Sequence, residues 1–595
     1  MFTSPPMEIR SVTATTHLNE PAVLKDAALL YRQLFNEQLY LVAYGRIYAN
    51  DGAMTPGADG ETPDGMSLER IREIIDDLRA ERYRFTPARR VYIPKKNGAK
   101  RPLGLPAWSD KLVGEVIRLL LEAYYEPQFS DRSHGFRPGR GCHTALNEIA
   151  STWTGTTWLI EGDIADCFGS LDHEVILNIL AEWIHDERFL GLIARMLRAG
   201  YLEDWIWHAT RSGAPQGGVV SPILSNIYLD RFDKFVEEEL IPAWTKGRIR
   251  RNNREYKNVT ANIGYWSRKG DPERVAPLRR RQRSIPASDP RDPGYRRLRY
   301  TRYADDHLLG FVGTRAEAEQ IKEEIAKFLH ETLKLELSIE KTLITHARTK
   351  RARFLGYDIG TLHNDTKLTR GHRKVNGSVA LEVPPEVVNS KCHLYQHDDG
   401  RAAIRGDLKN LSDYSIIAVY GAEYRGYVQY YQMAGNLNWL NKLRFAMERS
   451  MLSTLAAKHR RPPWRLRDRF KSTIETPYGT RRCFEASHTT PSGSVATARF
   501  GGIPLVRQRH TTIIDGRWPA RQKRLLVKRL KTGICELCGS DRTITVHHVR
   551  RMSDLERYST TNPPKWVADM RQYRRKTIIV CAHCHAAIHG GSSDS

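Results

Sequence analysis

Two adjacent carboxylates limit what this chain can fold into more than any other feature. Asp305 and Asp306 lie within YTRYADDHLLGF, Tyr300 to Phe311, a pattern that predicts a hairpin with both aspartates at its tight corner. Like charges at that distance repel, so the fold must bring cations or metal ions to the same place. An arbitrary pair of aspartates is most often a solvated turn. Here a further carboxylate, Asp163, closes the short apolar run LIEGD, and two-metal phosphoryl transfer needs carboxylates converging from separate segments. Three carboxylates suffice for Mg²⁺, a hard cation that keeps waters and substrate phosphates in its remaining positions.

At 595 residues the chain is roughly four times a typical ~150-residue domain, so several domains are expected. Lys and Arg number 93 against 68 Asp and Glu, and the net charge of +25 suits a long polyanionic partner. With 40% hydrophobic residues there is material for ordinary cores, which excludes wholesale disorder. No uninterrupted run of ~18 apolar residues occurs, so no membrane partner is expected. The opening MFTSPPMEIR lacks the basic flank and apolar stretch of a secretory signal, so secretion is not expected. Of eight cysteines, Cys142, Cys167, Cys392 and Cys483 stand singly and four form two CxxC pairs, which fits a reducing compartment better than a disulfide framework.

Along the chain, residues 1–50 are moderately helical, with Ala27, Leu30, Leu34 and Leu39 among the apolar positions. The Gly/Pro-rich loop TPGADGETPDG, Thr55 to Gly65, precedes an amphipathic helix carrying Leu68, Ile71, Ile75 and Leu78. VYIPKKNGAKRPLGLP, Val91 to Pro106, predicts two strands about an Asn97-Gly98 turn. The stretch 241–300 holds 17 Lys and Arg against 5 Asp and Glu, a local net of +12, and its Pro, Asn and Gly content argues against one long helix. Taken alone it reads as a solvated insertion. Its nearness to the paired aspartates turns that reading toward a nucleic-acid surface. From about 410 to 465 the pattern is helical, with Tyr420, Tyr424, Tyr427, Tyr430 and Tyr431 set among basic residues. Residues 485–530 are polar and basic with little periodicity.

The last 65 residues form a separate module. Cys535 and Cys538 are divided from Cys581 and Cys584 by 42 residues, and four thiolates in two close pairs suit a tetrahedral, structural Zn²⁺. His547 and His548 lie between the pairs, and His585 and His589, four residues apart, share one helix face.

Several motifs then fall into a known order. FSDRSHGFRPGRGCHTAL from Phe129, DIADCF from Asp163, APQGGVVSPILSNIYLD from Ala214, YADD from Tyr303 and FLGY from Phe354 resemble the blocks of group II intron reverse transcriptases, the intron-encoded maturase proteins. TPGADG resembles that family's N-terminal extension, and RGYVQYYQMAGN with TLAAKHR resembles its thumb, or maturase, domain. The resemblance implies that Asp163, Asp305 and Asp306 are the catalytic metal-binding triad. It implies that Phe168 is the aromatic gate against a ribose 2′-OH. Lys95 and Arg101 match finger residues that hold the incoming triphosphate, and forked Arg and point-charge Lys suit that task. Gln216 and Gly217 match the block beneath the nascent base pair, and Lys341 a palm lysine near the active site. The Cys/His module resembles an HNH (ββα-metal) endonuclease. This implies His548 as general base, with His547, His585 and His589 holding a single catalytic metal, expected to be Mg²⁺. One departure stands out: the middle Asn of that pattern is Thr577 here.

The expected architecture is α+β and multidomain. It has an N-terminal extension (1–75), right-hand polymerase fingers and palm (76–360), a helical thumb (375–480), a basic DNA-binding region (485–530) and a zinc-bound HNH nuclease (531–595). The resemblance implies RNA-templated DNA synthesis, splicing assistance and DNA target cleavage. The implied partners are intron RNA, target DNA, dNTPs and a primer–template duplex, in a bacterial cytoplasm or an organelle; a homodimer is left open. Two rivals are a maturase with a silent polymerase, against which the intact YADD and Asp163 count, and a defence or diversity-generating reverse transcriptase, against which the thumb and HNH motifs count.

Overall fold

The computed structural model describes residues 30–50, 52–94, 98, 100–204, 206–210, 212–213, 218–338, 340–364, 375–489, 493–511, 520–559 and 561–590, without the side chains of 520–524. Ala27, Lys95, Asn97, Gln216 and Gly217, named above, lie outside these residues.

The N-terminal part contributes helices α1 (Glu37–Ile47) and α2 (Leu68–Arg79). The second starts where Ser67 Oγ accepts the Arg70 N–H at 3.1 Å, and it buries Ile71, Ile74, Ile75 and Leu78 along one face. Strands β1 (Ala88–Pro94) and β2 (Lys100–Leu105) pair antiparallel as the sequence predicts. With β4 (Tyr201–Glu203) and β5 (Ile206–His208) they form a sheet in the order β2-β1-β4-β5. Between them come α3 (Trp108–Tyr125), α4 (Cys142–Thr152) and β3 (Trp158–Gly162).

The palm sheet runs β6-β7-β3-β8 in space, with β6 at Arg297–Tyr303, β7 at Asp306–Val312 and β8 at Ile344–His346. β7 is buried from His307 to Val312, so it reads as a nearly continuous apolar run. Helices α5 (Ser221–Lys234) and α8 (Arg315–Leu333) accompany it. Thr314 and Glu317 form a capping box at the start of α8, and Ala318, Ile321, Ile325, Leu329 and Leu333 line its buried face.

The basic stretch folds into two exposed helices, α6 (Arg254–Arg268) and α7 (Pro272–Ser284), broken at Lys269–Asp271 where Gly270 takes φ +70°. Its base is tied by reciprocal backbone bonds of 3.0 Å between Lys246 and Arg296. It is therefore an ordered helical hairpin. Only Val259 and Val275 are buried along its two helices.

Strands β9 (Ala352–Phe354), β10 (Tyr357–Thr361) and β11 (Val379–Glu382) lead into the thumb helices α9 (Asp413–Tyr430) and α10 (Leu440–His459). A second sheet, β12 (Lys471–Ile474), β13 (Arg481–Thr489) and β14 (Val495–Gly501), packs against α9, and Phe484 and Phe500 join the thumb core. This sheet spans the break placed at 480–485 from sequence, so that boundary cuts through one folded unit. Helix α11 (Ala520–Lys531) also lies in the region read as aperiodic. The C-terminal module is β15 (Ile544–His548), α12 (Lys565–Gln572), β16 (Thr577–Cys581) and α13 (Ala582–Gly590), with β15 and β16 antiparallel.

One ion pair sits at the centre of the palm. Arg302 on β6 and Asp233 on α5 are both fully buried, joined by Nε–Oδ1 at 2.7 Å and Nη2–Oδ2 at 2.5 Å. The guanidinium also donates to Ser133 Oγ at 2.9 Å and to the Ala304 carbonyl at 2.8 Å, while Tyr300 Oη donates to Asp233 Oδ1 at 2.7 Å. Removing one partner strands the other charge in a dry interior, which costs about 3–5 kcal/mol. Asp233→Ala is therefore expected to lower the unfolding free energy read from a urea titration by that much; an unchanged free energy would show that the pair does not hold the palm.

Candidate active sites

The β6–β7 hairpin turns over Ala304 and Asp305, with Tyr303 paired to Asp306 and Ala304 at φ +57°. β3 lies antiparallel beside β7, with Gly162 opposite His307. One step on, the same register sets Asp163 opposite Asp306, so three carboxylates from two segments meet at one end of the sheet. Gly162 is required there. A Cβ at that position would come within 1.9 Å of His307 Nε2, and the His307 ring fills the space beneath the triad. Burial brings His307 down to about 4, so it packs as a neutral ring. Gly135 is required too: a Cβ on it would lie 2.4 Å from the Ala304 backbone nitrogen, so the loop HGFRPGRG, His134 to Gly141, presses directly on the aspartate turn.

The electrostatics record the crowding. Burial, then the charges of Asp305 and Asp163, push Asp306 up to about 7. Asp305 is raised by burial and by Asp163, and Arg101 on β2 acts in the opposite sense. Lys341 Nζ donates to Asp163 Oδ2 at 2.7 Å, and that hydrogen bond raises the lysine. The structure thus brings Asp163, Asp305, Asp306, Lys341 and Arg101 to one place. Phe168 lies beside the triad, half-buried and edge-on to Phe136 with ring centroids 6.4 Å apart.

Sequence reading missed Phe136, which is 53% exposed at φ +58° and lies between Phe168 and Tyr303. It lies within FSDRSHGFRPGRGCHTAL, and its residue type gives no sign of the left-handed backbone that exposes its ring. In the thumb, Tyr420 and Tyr424 are completely buried, and Tyr420 Oη bonds Ser450 Oγ at 2.7 Å. Those two are packing residues. Tyr427 and Tyr430 remain half-buried along one face of α9.

In the C-terminal module Cys535, Cys538, Cys581 and Cys584 converge, with all four sulfurs within 4.8 Å of one another. Backbone N–H groups of Cys538 and Cys584 donate to Cys535 Sγ and Cys581 Sγ, each at 3.5 Å. Burial pushes the Cys535 thiol up, yet backbone donors outweigh it and bring the thiol down to about 6, which favours the thiolate a metal requires.

The histidines divide. His547, His585 and His589 converge, and Asp64 from the N-terminal loop lies among them; their ligand atoms also fall within 4.8 Å of one another. Successive residues on β15 face opposite ways, so His548 is turned from that cluster. It is 5% exposed, its Nε2 is 2.7 Å from Tyr44 Oη, and the rings of Tyr44 and Tyr48 approach it at 6.1 and 6.0 Å. Burial takes it down to about 3. Thr577 is paired across the ladder with His548, but its hydroxyl accepts from Arg529 Nη1 at 3.5 Å. Asp64 and Tyr44 were absent from the sequence reading.

Comparison with known proteins agrees with this geometry. Residues 93–359 match the reverse transcriptase (RNA-dependent DNA polymerase) family, 390–467 the type II intron maturase family, and 535–585 the AI2M/AI1M-like HNH endonuclease family. The chain is 37% identical over 586 residues to the group II intron-encoded protein LtrA of Lactococcus lactis, covering 93% of this chain and 94% of that one. It is 32% identical to the 91 kDa protein in the cob intron of Schizosaccharomyces pombe, over 96% of this chain and 71% of that protein. A solved telomerase from Candida tropicalis aligns at 11% identity over 63% of this chain and 62% of that one, with a TM-score of 0.33. The chain belongs to the group II intron-encoded proteins, as a reverse transcriptase and maturase with a C-terminal HNH endonuclease domain.

Proposed function

We propose that Asp163, Asp305 and Asp306 are the residues that carry DNA synthesis, on primers paired to the intron's own RNA. The observation that carries this is the strand register that sets Asp163 across from Asp306 beside Asp305. Three crowded carboxylates, one of them pushed up to about 7 by burial and its neighbours, fit a pair of hard cations. Mg²⁺ bound there would polarise the incoming phosphate and steady the charge on the attacking and leaving oxygens. Lys341 holds Asp163 in place, and Arg101, with Lys95, is suited to grip the triphosphate. Phe168 fits the part of the gate against a ribose 2′-OH, with Gln216 and Gly217 beneath the nascent pair. We assign 1–75, 76–360 and 531–595 to extension, polymerase and nuclease as the sequence suggests. The thumb is extended to 501, because β13 and β14 belong to its core.

The partners of this reading are intron RNA, the primer–template duplex, dNTPs and target DNA. Zn²⁺ held by Cys535, Cys538, Cys581 and Cys584 staples the nuclease, whose metal is held by His547, His585 and His589 with His548 as general base. No described helix is long and apolar enough to cross a membrane, and relatives come from a bacterium and from yeast introns. A bacterial cytoplasm or an organelle interior is the setting we assign.

Replacing Asp305 and Asp306 together with Ala is expected to abolish primer extension on an RNA template while RNA binding persists; extension at wild-type rates contradicts the assignment. The helical hairpin supplies a second test. Arg281 is paired with Glu255 at 2.7 Å, whereas Arg279, Arg280 and Arg283 line an open groove. If these three contact phosphates, replacing them with Gln should flatten the fall of log affinity with log salt by roughly 0.7–0.9 per contact. An unchanged slope for both intron RNA and a primer–template duplex identifies a merely solvated surface. Third, Cys535→Ser should remove one zinc per chain and expose the module to protease, because so small a core depends on its staple. An unchanged zinc count contradicts the four-thiolate site.

A further inference from the structure

We propose that Asp64 of the N-terminal extension is a fourth ligand of the nuclease metal, and that by filling that position it keeps the nuclease closed. This rests on the assignment of His547, His585, His589 and His548 to the nuclease. Asp64 Oδ1 lies 3.3 Å from His547 Nδ1 and 3.2 Å from His585 Nε2, and Asp64 Oδ2 lies 2.7 Å from His589 Nε2. Both ring nitrogens of His547 are buried; Nε2 has no hydrogen-bond partner and Nδ1 has only the off-angle Asp64 carboxylate at 3.3 Å, which is what a ring waiting for a metal presents. Three imidazoles and one carboxylate suit a first-row transition ion such as Zn²⁺ better than the Mg²⁺ expected from sequence.

The count of ligands decides the consequence. Catalytic zinc sites keep three protein ligands and leave a position for water or substrate, whereas four protein ligands make a closed, structural site. Asp64 therefore occupies the place that a scissile phosphate needs. A second feature points the same way. The ring of His548 is sealed beneath α1, with Nε2 engaged by Tyr44 Oη, so no DNA-bound water can reach it while the extension is docked.

The docking is built into the backbone. Gly65 N–H donates to the Val546 carbonyl at 3.0 Å, Val546 N–H to the Met66 carbonyl at 2.9 Å, and His548 N–H to Asp64 Oδ1 at 2.7 Å. The extension thus adds a short antiparallel rung to the edge of β15. Met66, Val546, Ile579 and Tyr44 are completely buried within the same core cluster. Target DNA must displace this contact before His548 and the metal face a phosphate together.

The test uses the full chain. Zinc is titrated calorimetrically into metal-depleted wild type, Asp64→Ala and Tyr44→Phe, and nicking of a DNA duplex is then measured at saturating zinc. Primer extension serves as the folding control. Asp64→Ala should weaken the nitrogen-rich site at least ~10-fold, since even the loss of an outer-shell partner costs 10–100-fold. It should nonetheless nick several-fold faster than wild type. Tyr44→Phe should also nick faster, with zinc affinity unchanged. Loss of both affinity and nicking in Asp64→Ala would make Asp64 a working part of the open site and overturn the closed state. Unchanged affinity would overturn its role as a ligand. Adding His548→Ala to Asp64→Ala should stop nicking; if nicking persists, the nuclease assignment itself fails and this inference with it.

Discussion

The buried pair of Arg302 and Asp233 underlies the polymerase half of this molecule. Three carboxylates at one sheet end repel one another, and left to themselves they would splay the hairpin that carries two of them. The guanidinium prevents this without touching them. Its fork grips Asp233 on α5, and its remaining donors hold the Ala304 carbonyl of the aspartate turn and Ser133 of the adjoining loop. Every donor direction is used inside a dry core, which is the condition under which a buried ion pair can be tolerated. The turn is thereby aimed by a helix, a strand and a loop at once, and the loop HGFRPGRG can press against it only because Gly135 has no side chain.

The carboxylates were legible in the sequence because their signal is local: an acidic pair at a hairpin corner and a third aspartate ending an apolar strand. The four cysteines were legible for the same reason, since CxxC spacing is itself the geometry of two adjacent ligands. What holds the triad was not. Arg302 and Asp233 are ordinary residue types 69 positions apart, and neither carries a mark of burial. Asp64 was hidden still better, one acidic residue in a loop that reads as solvated, 484 positions from the histidine whose backbone it caps. Tyr420 and Tyr424 face inward because α9 packs against β13 and β14. Those strands escaped notice because only Cys483 and Phe484 of β13 are buried and all but Ala486 of the rest is polar.

The units that the sequence separates are joined by shared cores. Leu159 of β3 and Leu308 of β7 pack in one cluster with the thumb helices, so the strands that flank the aspartates share a core with the thumb. At the other end, Leu526, Leu530, Val546 and Ile579 pack with α1 and α2, so the nuclease rests against the extension as part of the polymerase body. Only the far side of the nuclease module, around Trp566 and Met570, has a core of its own. One basic chain can therefore present polymerase, RNA-binding and nuclease surfaces from shared cores.

The central claim is that Arg302 and Asp233 act by aiming the carboxylates, beyond merely stabilising the palm. It is tested most directly by replacing both at once, Arg302→Met with Asp233→Leu. Apolar replacement of a whole buried pair is often neutral for stability. The account predicts an unchanged unfolding midpoint with primer extension reduced about 10²-fold, the cost of a displacement near 1 Å at the reacting groups. Extension at the wild-type rate in a stably folded double variant would contradict it.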